Sequence, residues 1–401
     1  MDIQKIKESF AYVYPVMGMY ELMYDQIVKE HKTDFQEFMH TANVSTPETT
    51  FVPAPNNDTT YSRCWLDLRN GPVILNTPDT KDRYYTIQLL DMFSDTVDNL
   101  GKRKYGTNAH RFAIMHEDCK EQVAEDMIVI RCKTYFALAF LRVLIGDESQ
   151  LTEVKQIQSG FIANALHKES MQALPVYDTK TKKAYLDTAC KIMEIICTPA
   201  YDLQEKKALE ELKQIEETEL EQCFTEMLKS IDEGGRAFGE DVQGWRIARK
   251  NIGIYGKDYF QRSVVWFKGA LANVPEESLY PTTFMDADGA LLDGSQHRYR
   301  LHFCKHQLPP VSQFWSLTMY IYRNAMLSEN PIHRYSLGDR SKDLQYESDG
   351  SLTIYIQHKE PEHHVDNWLP CPQEPFYMTL RLYGPSNDAI DGKWNPPAVE
   401  K

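Results

Sequence analysis

The sequence lacks the features that mark several common protein classes. No Gly-x-Gly-x-x-Gly segment follows a predicted strand, and there is no Walker-type loop, Gly-x-Ser-x-Gly elbow or His-Glu-x-x-His helix. Nucleotide enzymes, α/β hydrolases and zincins are therefore disfavoured. No stretch approaches the roughly 18 apolar residues of a membrane helix, and the first residues contain no apolar signal region. We therefore expect a cytoplasmic protein with no membrane partner.

Excess positive charge is also missing. The 44 Lys and Arg residues are outnumbered by 58 Asp and Glu residues, giving a formal net charge of −14. Phosphate recognition needs clustered basic residues, and the densest basic run is only Lys102-Arg103-Lys104. The composition argues against nucleic acid and against anionic lipid as partners.

Cysteine pairs with metal or redox spacing are absent as well. Eight cysteines are scattered over 401 residues, and none forms a Cys-x-x-Cys pair. We interpret them as free thiols in a reducing compartment. The segment 358–364, His-Lys-Glu-Pro-Glu-His-His, is rich in potential ligands but lacks regular ligand spacing. We interpret it as an exposed loop and predict no metal site there.

What is present is an ordinary globular composition with 42% apolar and 25% charged residues. Hydrophobic spacing predicts a helix over 3–40, in which Pro15 should kink or split the helix. Turn-punctuated strands follow to about 140, helical spacing covers about 147–255, and strands return after that. We divide the chain into an N-terminal helical segment (1–45), a first β domain (46–145), a helical connecting segment (146–260) and a C-terminal β domain (261–401).

Turn residues and alternation give more detail in the β regions. Asn70-Gly71-Pro72 separates two apolar runs, and Asp349-Gly350 precedes another, which predicts hairpins at both places. In segment 378–382, alternation places Leu380 and Leu382 inward and Arg381 outward. The pattern as a whole predicts an α+β, β-rich fold with two antiparallel β-sandwich or jelly-roll-like domains.

Polar groups in the first β region are candidates for a site. Residues 56–62 all carry an amide, carboxylate or hydroxyl. Such residues commonly cap turns through their own backbone. Alternatively, Asp58 accepts hydrogen bonds from a ligand and Tyr61 offers a hydroxyl and a ring. Arg83 or Arg103 then anchors an anionic group, or forms an internal ion pair with Asp58.

Aromatic residues in the C-terminal region form the second group of candidates. Trp315 and Trp368 are the large rings that we expect to serve as a stacking wall for a ligand. The same rings also fill sandwich cores, so a purely structural interpretation stays open. Catalytic residues are not assigned, because acid, base and nucleophile meet only in three dimensions.

Many short motifs occur in one order along the C-terminal region and resemble domain-of-unknown-function family 1214. They include Asp286-Ala287-Asp288-Gly289, Phe314-Trp315-Ser316-Leu317, Asn367-Trp368-Leu369-Pro370 and Arg381-Leu382-Tyr383. The N-terminal region is similar to family 1254 through Asn57-Asp58-Thr59, Asp82-Arg83-Tyr84-Tyr85 and Gly101-Lys102-Arg103. Asn57 stands where that family often has arginine. The resemblance implies two β-sandwich or jelly-roll-like domains, with no reaction, cofactor or catalytic residue attached.

Two functional hypotheses follow. In the first, the protein is a small-molecule binder or an enzyme with its site where the two β domains meet, since clefts between domains are common ligand sites. In the second, it is a structural or interaction protein whose β domains assemble, for example as a homo-oligomer. The identity of any ligand or cofactor is not predicted.

Overall fold

The computed structural model describes residues 2–41, 43–49, 54–167 and 173–401. The helices of this part of the chain are α1 (Ile3–Tyr24), α2 (Lys102–Tyr105), α3 (Leu151–Ser159), α4 (Lys182–Ile196), α5 (Leu203–Leu212), α6 (Glu217–Ala237), α7 (Tyr259–Gly269) and α8 (Asn387–Ile390). A π-helical turn, Asp25–Lys29, continues α1.

Nine strands lie in the N-terminal half and ten in the C-terminal half of the described chain. The first nine are β1 (Met39–Thr41), β2 (Thr59–Asp67), β3 (Val73–Thr77), β4 (Tyr85–Asp91), β5 (Thr96–Gly101), β6 (His110–His116), β7 (Ile128–Cys132), β8 (Phe136–Leu144) and β9 (Ile162–Ala165). The others are β10 (Glu240–Val242), β11 (Trp245–Ile247), β12 (Ser278–Leu279), β13 (Thr282–Thr283), β14 (Tyr299–Phe303), β15 (Val311–Ile321), β16 (Ser336–Gly338), β17 (Leu352–Gln357), β18 (Trp368–Pro370) and β19 (Phe376–Pro385).

The N-terminal β half consists of two facing sheets. The first sheet has the order β1-β2-β8-β4-β5 and the second the order β7-β6-β3-β9. Leu66, Ile87 and Leu141 of the first sheet pack against Leu75 and Ile114 of the second, all fully buried. The other face of the first sheet is covered by the helices at one end and by the C-terminal half at the other.

The C-terminal β half is also two-layered. The third sheet has the order β10-β11-β13-β19-β15-β16, with β12 also pairing with β19, and the fourth has the order β14-β17-β18. Leu317 and Leu380 of the third sheet share a core with Leu301, Ile354 and Leu369 of the fourth. The fold is therefore α+β and β-rich, as predicted. The sheets are not purely antiparallel, because β6 pairs with β7, and β17 with β18, in parallel.

The segment 146–260 is more than a helical connector. β9 joins the second sheet through β3, and β10 and β11 extend the third sheet through β13. The first β half therefore continues beyond residue 145, and the second begins before residue 261. These strands have only three or four residues, too few for a two-residue alternation to stand out in the sequence.

Helix α1 and the helices α4 to α7 form one apolar unit. Phe10 of α1 packs in a buried cluster with residues of α4 to α7, such as Leu186 and Leu209. Pro15 lies inside α1 without splitting it. Proline cannot donate to the carbonyl four residues earlier, which is that of Ala11. Ser263 Oγ of α7 donates to that carbonyl instead, at 2.7 Å, so the missing helix bond is replaced by a tertiary one.

Both predicted hairpins are wrong. β2 and β3 flank Asn70-Gly71-Pro72, but β2 pairs with β8 in the first sheet while β3 pairs with β6 in the second. Asp349-Gly350 does form a turn, yet β17 pairs with β14 rather than with a strand just before the turn. In both places the chain uses its turn to change layers, and local turn chemistry does not specify the partner strand. Among the described residues, no helix combines the length and the apolar character needed to cross a bilayer.

Candidate functional site

The polar run before β2 forms a tight turn at the junction of the β halves. Asn56 Oδ1 accepts the backbone N–H of Asp58 at 2.7 Å, as side chains of this type do when they cap a turn. The amide of Asn56 also donates to the hydroxyl of Tyr383 on β19, at 2.8 Å. The turn is thus fixed on one side by its own backbone and on the other by the C-terminal half.

The carboxyl group of Asp58 lies at the centre of this junction and is only 9% exposed. Its Oδ2 accepts hydrogen bonds from Ser316 Oγ at 2.6 Å and from the hydroxyl of Tyr383 at 3.4 Å. Among the described residues, no donor contacts Oδ1. One oxygen is therefore held by the protein, and the other is left for a different donor.

Burial raises the pKa of the Asp58 carboxyl, against the opposing charge of Arg381 and the hydrogen bonds from Ser316 and Tyr383. The guanidinium of Arg381 donates to Thr318 Oγ1 at 2.8 Å and to the hydroxyl of Tyr320 at 2.6 Å. It also donates to the carbonyl of Ala54, at 3.2 Å. The hydrogen bonds of this cation thus go to neutral oxygens, and its effect on Asp58 is through space.

Alternation in the third sheet explains why these groups meet. On β15 and β19, every second side chain enters the apolar core with the fourth sheet. The intervening side chains are mostly polar and face the N-terminal half, where they are buried: Ser316, Thr318, Tyr320, Thr379, Arg381 and Tyr383. The third sheet therefore has an apolar inner face and a polar outer face, and the outer face is sealed by the other β half.

A cleft of about 690 Å³ opens beside Asp58. Residues 44–48, 57–58 and 144–147 of the N-terminal half form one wall. Residues 314–316 and parts of the segment 329–341 form the other. The lining mixes apolar side chains such as Phe314 and Ile332 with a small number of polar ones.

Charged residues of both signs lie on the cleft lining and next to it. Lys342 Nζ pairs with Asp147 Oδ2 at 2.7 Å and links the two walls. Hydrogen bonds from Lys342 and Ser149 lower the pKa of Asp147 to about 2. The guanidinium of Arg340 lies 5.9 Å from the ring centroid of Phe314, and among the described residues no carboxylate lies within ion-pairing distance of Arg340. Burial, and then the charge of Asp58, raise the pKa of Asp339 to about 6.

Of the residues predicted as ligand contacts, Asp58 lies in the cleft. Tyr61 lies three residues further along the chain, in β2, where its ring stacks on that of Phe140 with the centroids 5.3 Å apart. The guanidinium of Arg83 donates to the carbonyl of Leu144 at 3.1 Å and pairs with Glu153 at 2.7 Å. Arg83 therefore supports the cleft wall from behind rather than facing a ligand.

The other three predicted residues serve the framework. Arg103 pairs with the buried Glu277 at 2.6 Å, an ion pair that joins the two β halves without involving Asp58. Trp315 reaches the cleft lining, but its ring packs against Phe303 in the C-terminal core, with centroids 5.9 Å apart. Trp368 is 1% exposed in that core, and its indole N–H donates to a backbone carbonyl at 2.7 Å.

Sequence reasoning missed Ser316, Tyr383 and Arg381 as members of the site. The outward direction predicted for Arg381 is correct with respect to the strand, but the side chain is only 5% exposed because a second layer covers that face. One signal was available. Strands β15 and β19 alternate apolar residues with hydroxyls, and a lone arginine among hydroxyl groups is typical of a buried polar face rather than of a solvated one.

Two known families match separate parts of the chain, one in each β half. Residues 35–164 match the family described as DUF1254, and residues 277–387 match the family described as "protein of unknown function (DUF1214)". The chain combines a DUF1254 region with a DUF1214 region, in that order. No curated protein matches it. The DUF1254 region supplies Asp58 to the cleft, and the DUF1214 region supplies Ser316 and Arg340.

Two solved structures are similar to the whole chain. The VPA0106 protein from Vibrio parahaemolyticus has a TM-score of 0.77 and 22% identity, covering 100% of this chain and 99% of that one. An uncharacterised protein from Burkholderia cenocepacia has a TM-score of 0.49 and 12% identity, covering 98% of this chain and 87% of that one. The first similarity shows that the fold recurs at full length, and neither bears on activity.

Proposed function

We propose that this protein binds a small molecule in the cleft between its DUF1254 and DUF1214 regions, with Asp58 as the principal polar contact. The observation that carries the proposal is the position of the Asp58 carboxyl, buried at the end of a cleft with one oxygen fixed by Ser316 and the other without a donor among the described residues. Buried polar groups are usually hydrogen-bonded, so a carboxyl oxygen without a protein donor on a cleft lining is a natural contact for a ligand.

The size and lining of the cleft support the same proposal. A volume of about 690 Å³ falls within the roughly 300–1,000 Å³ typical of small-molecule pockets. Such pockets combine apolar walls with a few convergent polar groups, as this cleft does. If the protein is an enzyme, Asp58 is its candidate general acid or base, because a raised pKa brings a carboxyl nearer to the working pH.

Crystals soaked with a library of small fragments provide the test. We expect bound fragments to concentrate in the cleft and to contact Asp58. Ile332→Trp should remove them, because Ile332 is 39% exposed on the cleft wall and a larger ring there fills the space. Ile254→Trp, at an exposed position outside the cleft, is the matched control and should bind fragments as the natural protein does. Fragments scattered over the surface, indifferent to Ile332→Trp, would refute the proposal.

The alternative is a structural or interaction protein that assembles through its β domains. Val129 and Ile162 favour it, since both are exposed, at 42% and 50%, on the two edge strands of the second sheet. Light scattering on dilute protein distinguishes the two ideas when it is combined with fragment soaking. A large homo-oligomer with an empty cleft supports assembly, and a monomer with an occupied cleft supports ligand binding. A jelly-roll-like strand order and a cytoplasmic location remain predictions from the sequence.

A further inference from the structure

We infer that the inner end of the cleft binds a protonated amine, held by the carboxylate of Asp58 and the side-chain carbonyl of Asn57. This inference rests on the proposed ligand-binding function and names the chemistry of the group that the cleft accepts. It follows from the unmatched hydrogen-bond acceptors at this end, from the arrangement of charge around them, and from the apolar wall beside them.

The inner end of the cleft has more acceptors than donors. Asn57 Oδ1 is buried and finds no hydrogen-bond donor among the described residues. Asp58 Oδ1 has no donor among the described residues either, since the bonds to that carboxyl go to Oδ2. Both residues line the cleft. A neutral hydroxyl donates one hydrogen, whereas an ammonium group donates three. An ammonium can therefore satisfy both oxygens at once.

The two cations that act on Asp58, Arg381 and Arg340, do so only through space. No cation of the described chain is hydrogen-bonded to Asp58, and the guanidinium of Arg381 spends its bonds on neutral oxygens. A second carboxyl, that of Asp339, is close enough to interact with Asp58. A buried carboxylate without a bonded cation is costly, and the cost falls when a cation arrives. An anionic group placed against Asp58 would meet like charge, and Arg340 is the cation of the lining that opposes this repulsion.

Among the other cations of the lining, Arg340 lies against the Phe314 ring and its charge acts on Asp58 through space, whereas Arg334 and His333 are already engaged. Arg334 donates to the backbone carbonyls of Val365 and Trp368, at 2.8 and 2.9 Å. His333 is exposed and lies 3.4 Å from Glu329. The lining also contains the apolar side chains of Phe314, Ile332 and Leu144. A ligand with an apolar skeleton and a terminal ammonium fits this combination of surfaces.

Three probes with the same skeleton test the inference: 2-phenylethylamine, 2-phenylethanol and phenylacetate, titrated into the full-length protein at neutral pH by calorimetry. The amine is protonated there. We expect it to bind at least about tenfold more tightly than the alcohol, a difference of about 1.4 kcal/mol, and phenylacetate to bind most weakly. Ile332→Trp should abolish binding of all three.

Two carboxyl-to-amide variants then locate the preference. Asp58→Asn should reduce the amine to the affinity of the alcohol, whereas Glu329→Gln, an exposed carboxylate of the same cleft, should change it less than about twofold, as expected of a screened surface charge. The alcohol or phenylacetate could instead bind as tightly as the amine, with Ile332→Trp abolishing that binding. In that case the preference for an amine is wrong, and the cleft remains a ligand site. If none of the probes binds, both proposals fall. The ranking in the natural protein decides the matter even if Asp58→Asn does not fold.

Discussion

Ser316 Oγ donates a hydrogen bond of 2.6 Å to Asp58 Oδ2 across 258 positions of the chain. Asp58 comes from the turn before β2, and Ser316 from the middle of β15. The contact therefore exists only when the DUF1254 and DUF1214 regions are packed together. The candidate site is a property of the junction, and neither region contains it alone.

Replacing Ser316 by alanine should weaken this junction. The variant loses one hydrogen bond to a buried charged group, so we expect the free energy of unfolding to fall by about 1–3 kcal/mol, measured by urea denaturation. Ser312→Ala, an exposed serine of the same strand, should cost less than about 0.5 kcal/mol. Equal effects at the two serines would show that the Ser316 bond has no special role.

Arg381 should be the most sensitive basic residue of the junction. Arg381→Met removes the donor that Thr318, Tyr320 and the carbonyl of Ala54 share, and it removes the charge that opposes the raised pKa of Asp58. We expect a loss of about 3–5 kcal/mol in thermal or urea unfolding. Arg300→Met, at an arginine whose side chain is 58% exposed in its pair with Glu400, should cost about 1 kcal/mol or less. Similar costs for both variants would contradict the network described here.

Trp368 should matter for stability and not for binding. Trp368→Phe loses the indole hydrogen bond to a buried carbonyl and part of the core packing, so we expect a loss of about 2 kcal/mol. The affinity for 2-phenylethylamine should stay within about twofold of that of the natural protein. Trp394→Phe, which removes a solvent-exposed indole bond, is the control and should cost less. A binding defect that appears in Trp368→Phe without a loss of stability would restore the stacking role predicted from the sequence.

Asp91 should make the stability of the protein depend on pH. Burial, and then the charge of Asp95, raise its pKa from the usual 3.8 to about 7. Between these values the folded state binds more protons than the unfolded state, so this carboxyl makes the free energy of unfolding fall as the pH rises from about 4 to about 7. Each pKa unit corresponds to about 1.4 kcal/mol.

Asp91→Asn lacks this titration and keeps an oxygen for the backbone N–H groups of Phe93 and Asp95. As the pH rises from 5 to 8, the difference in free energy of unfolding between the variant and the natural protein should therefore change in favour of the variant. Urea denaturation midpoints at each pH measure this difference. Asp388→Asn, whose carboxylate is 68% exposed, should show a constant difference from the natural protein. A constant difference for Asp91→Asn as well would mean that Asp91 is ionised in the fold throughout this range.

The sequence predicts the fold class, and it singles out the segment that places Asp58 on the cleft, for identifiable reasons. Alternation along β15, β17 and β19 is regular enough to reveal strands, and the polar run at 56–62 stands out before β2. The pairing of strands cannot be predicted in the same way. Asn70-Gly71-Pro72 specifies a turn, but whether the chain returns in the same sheet or crosses to the facing one depends on which apolar faces meet later.

The same limit applies to Ser316 and Arg381. Each lies on the side of a strand that alternation assigns to the exterior, and only the packing of a second β half on that side makes it interior. Trp315 and Trp368 show the converse case. Large rings are conspicuous in a sequence, but Trp368 is buried in the core of the C-terminal half, and the ring of Trp315 packs on Phe303 there while Trp315 also reaches the cleft lining beside Phe314. Their stacking role stays a prediction.

The replacement bond between Ser263 and Ala11 has a consequence for synthesis of the protein on the ribosome. Helix α1 is translated before α7. The hydroxyl that replaces the helix bond lost at Pro15 is that of Ser263 in α7, 252 positions after Ala11. Until that partner emerges, the nascent helix exposes its apolar side and a weakened turn. We expect the N-terminal segment of the unfinished polypeptide to depend on chaperones until α7 has left the exit tunnel.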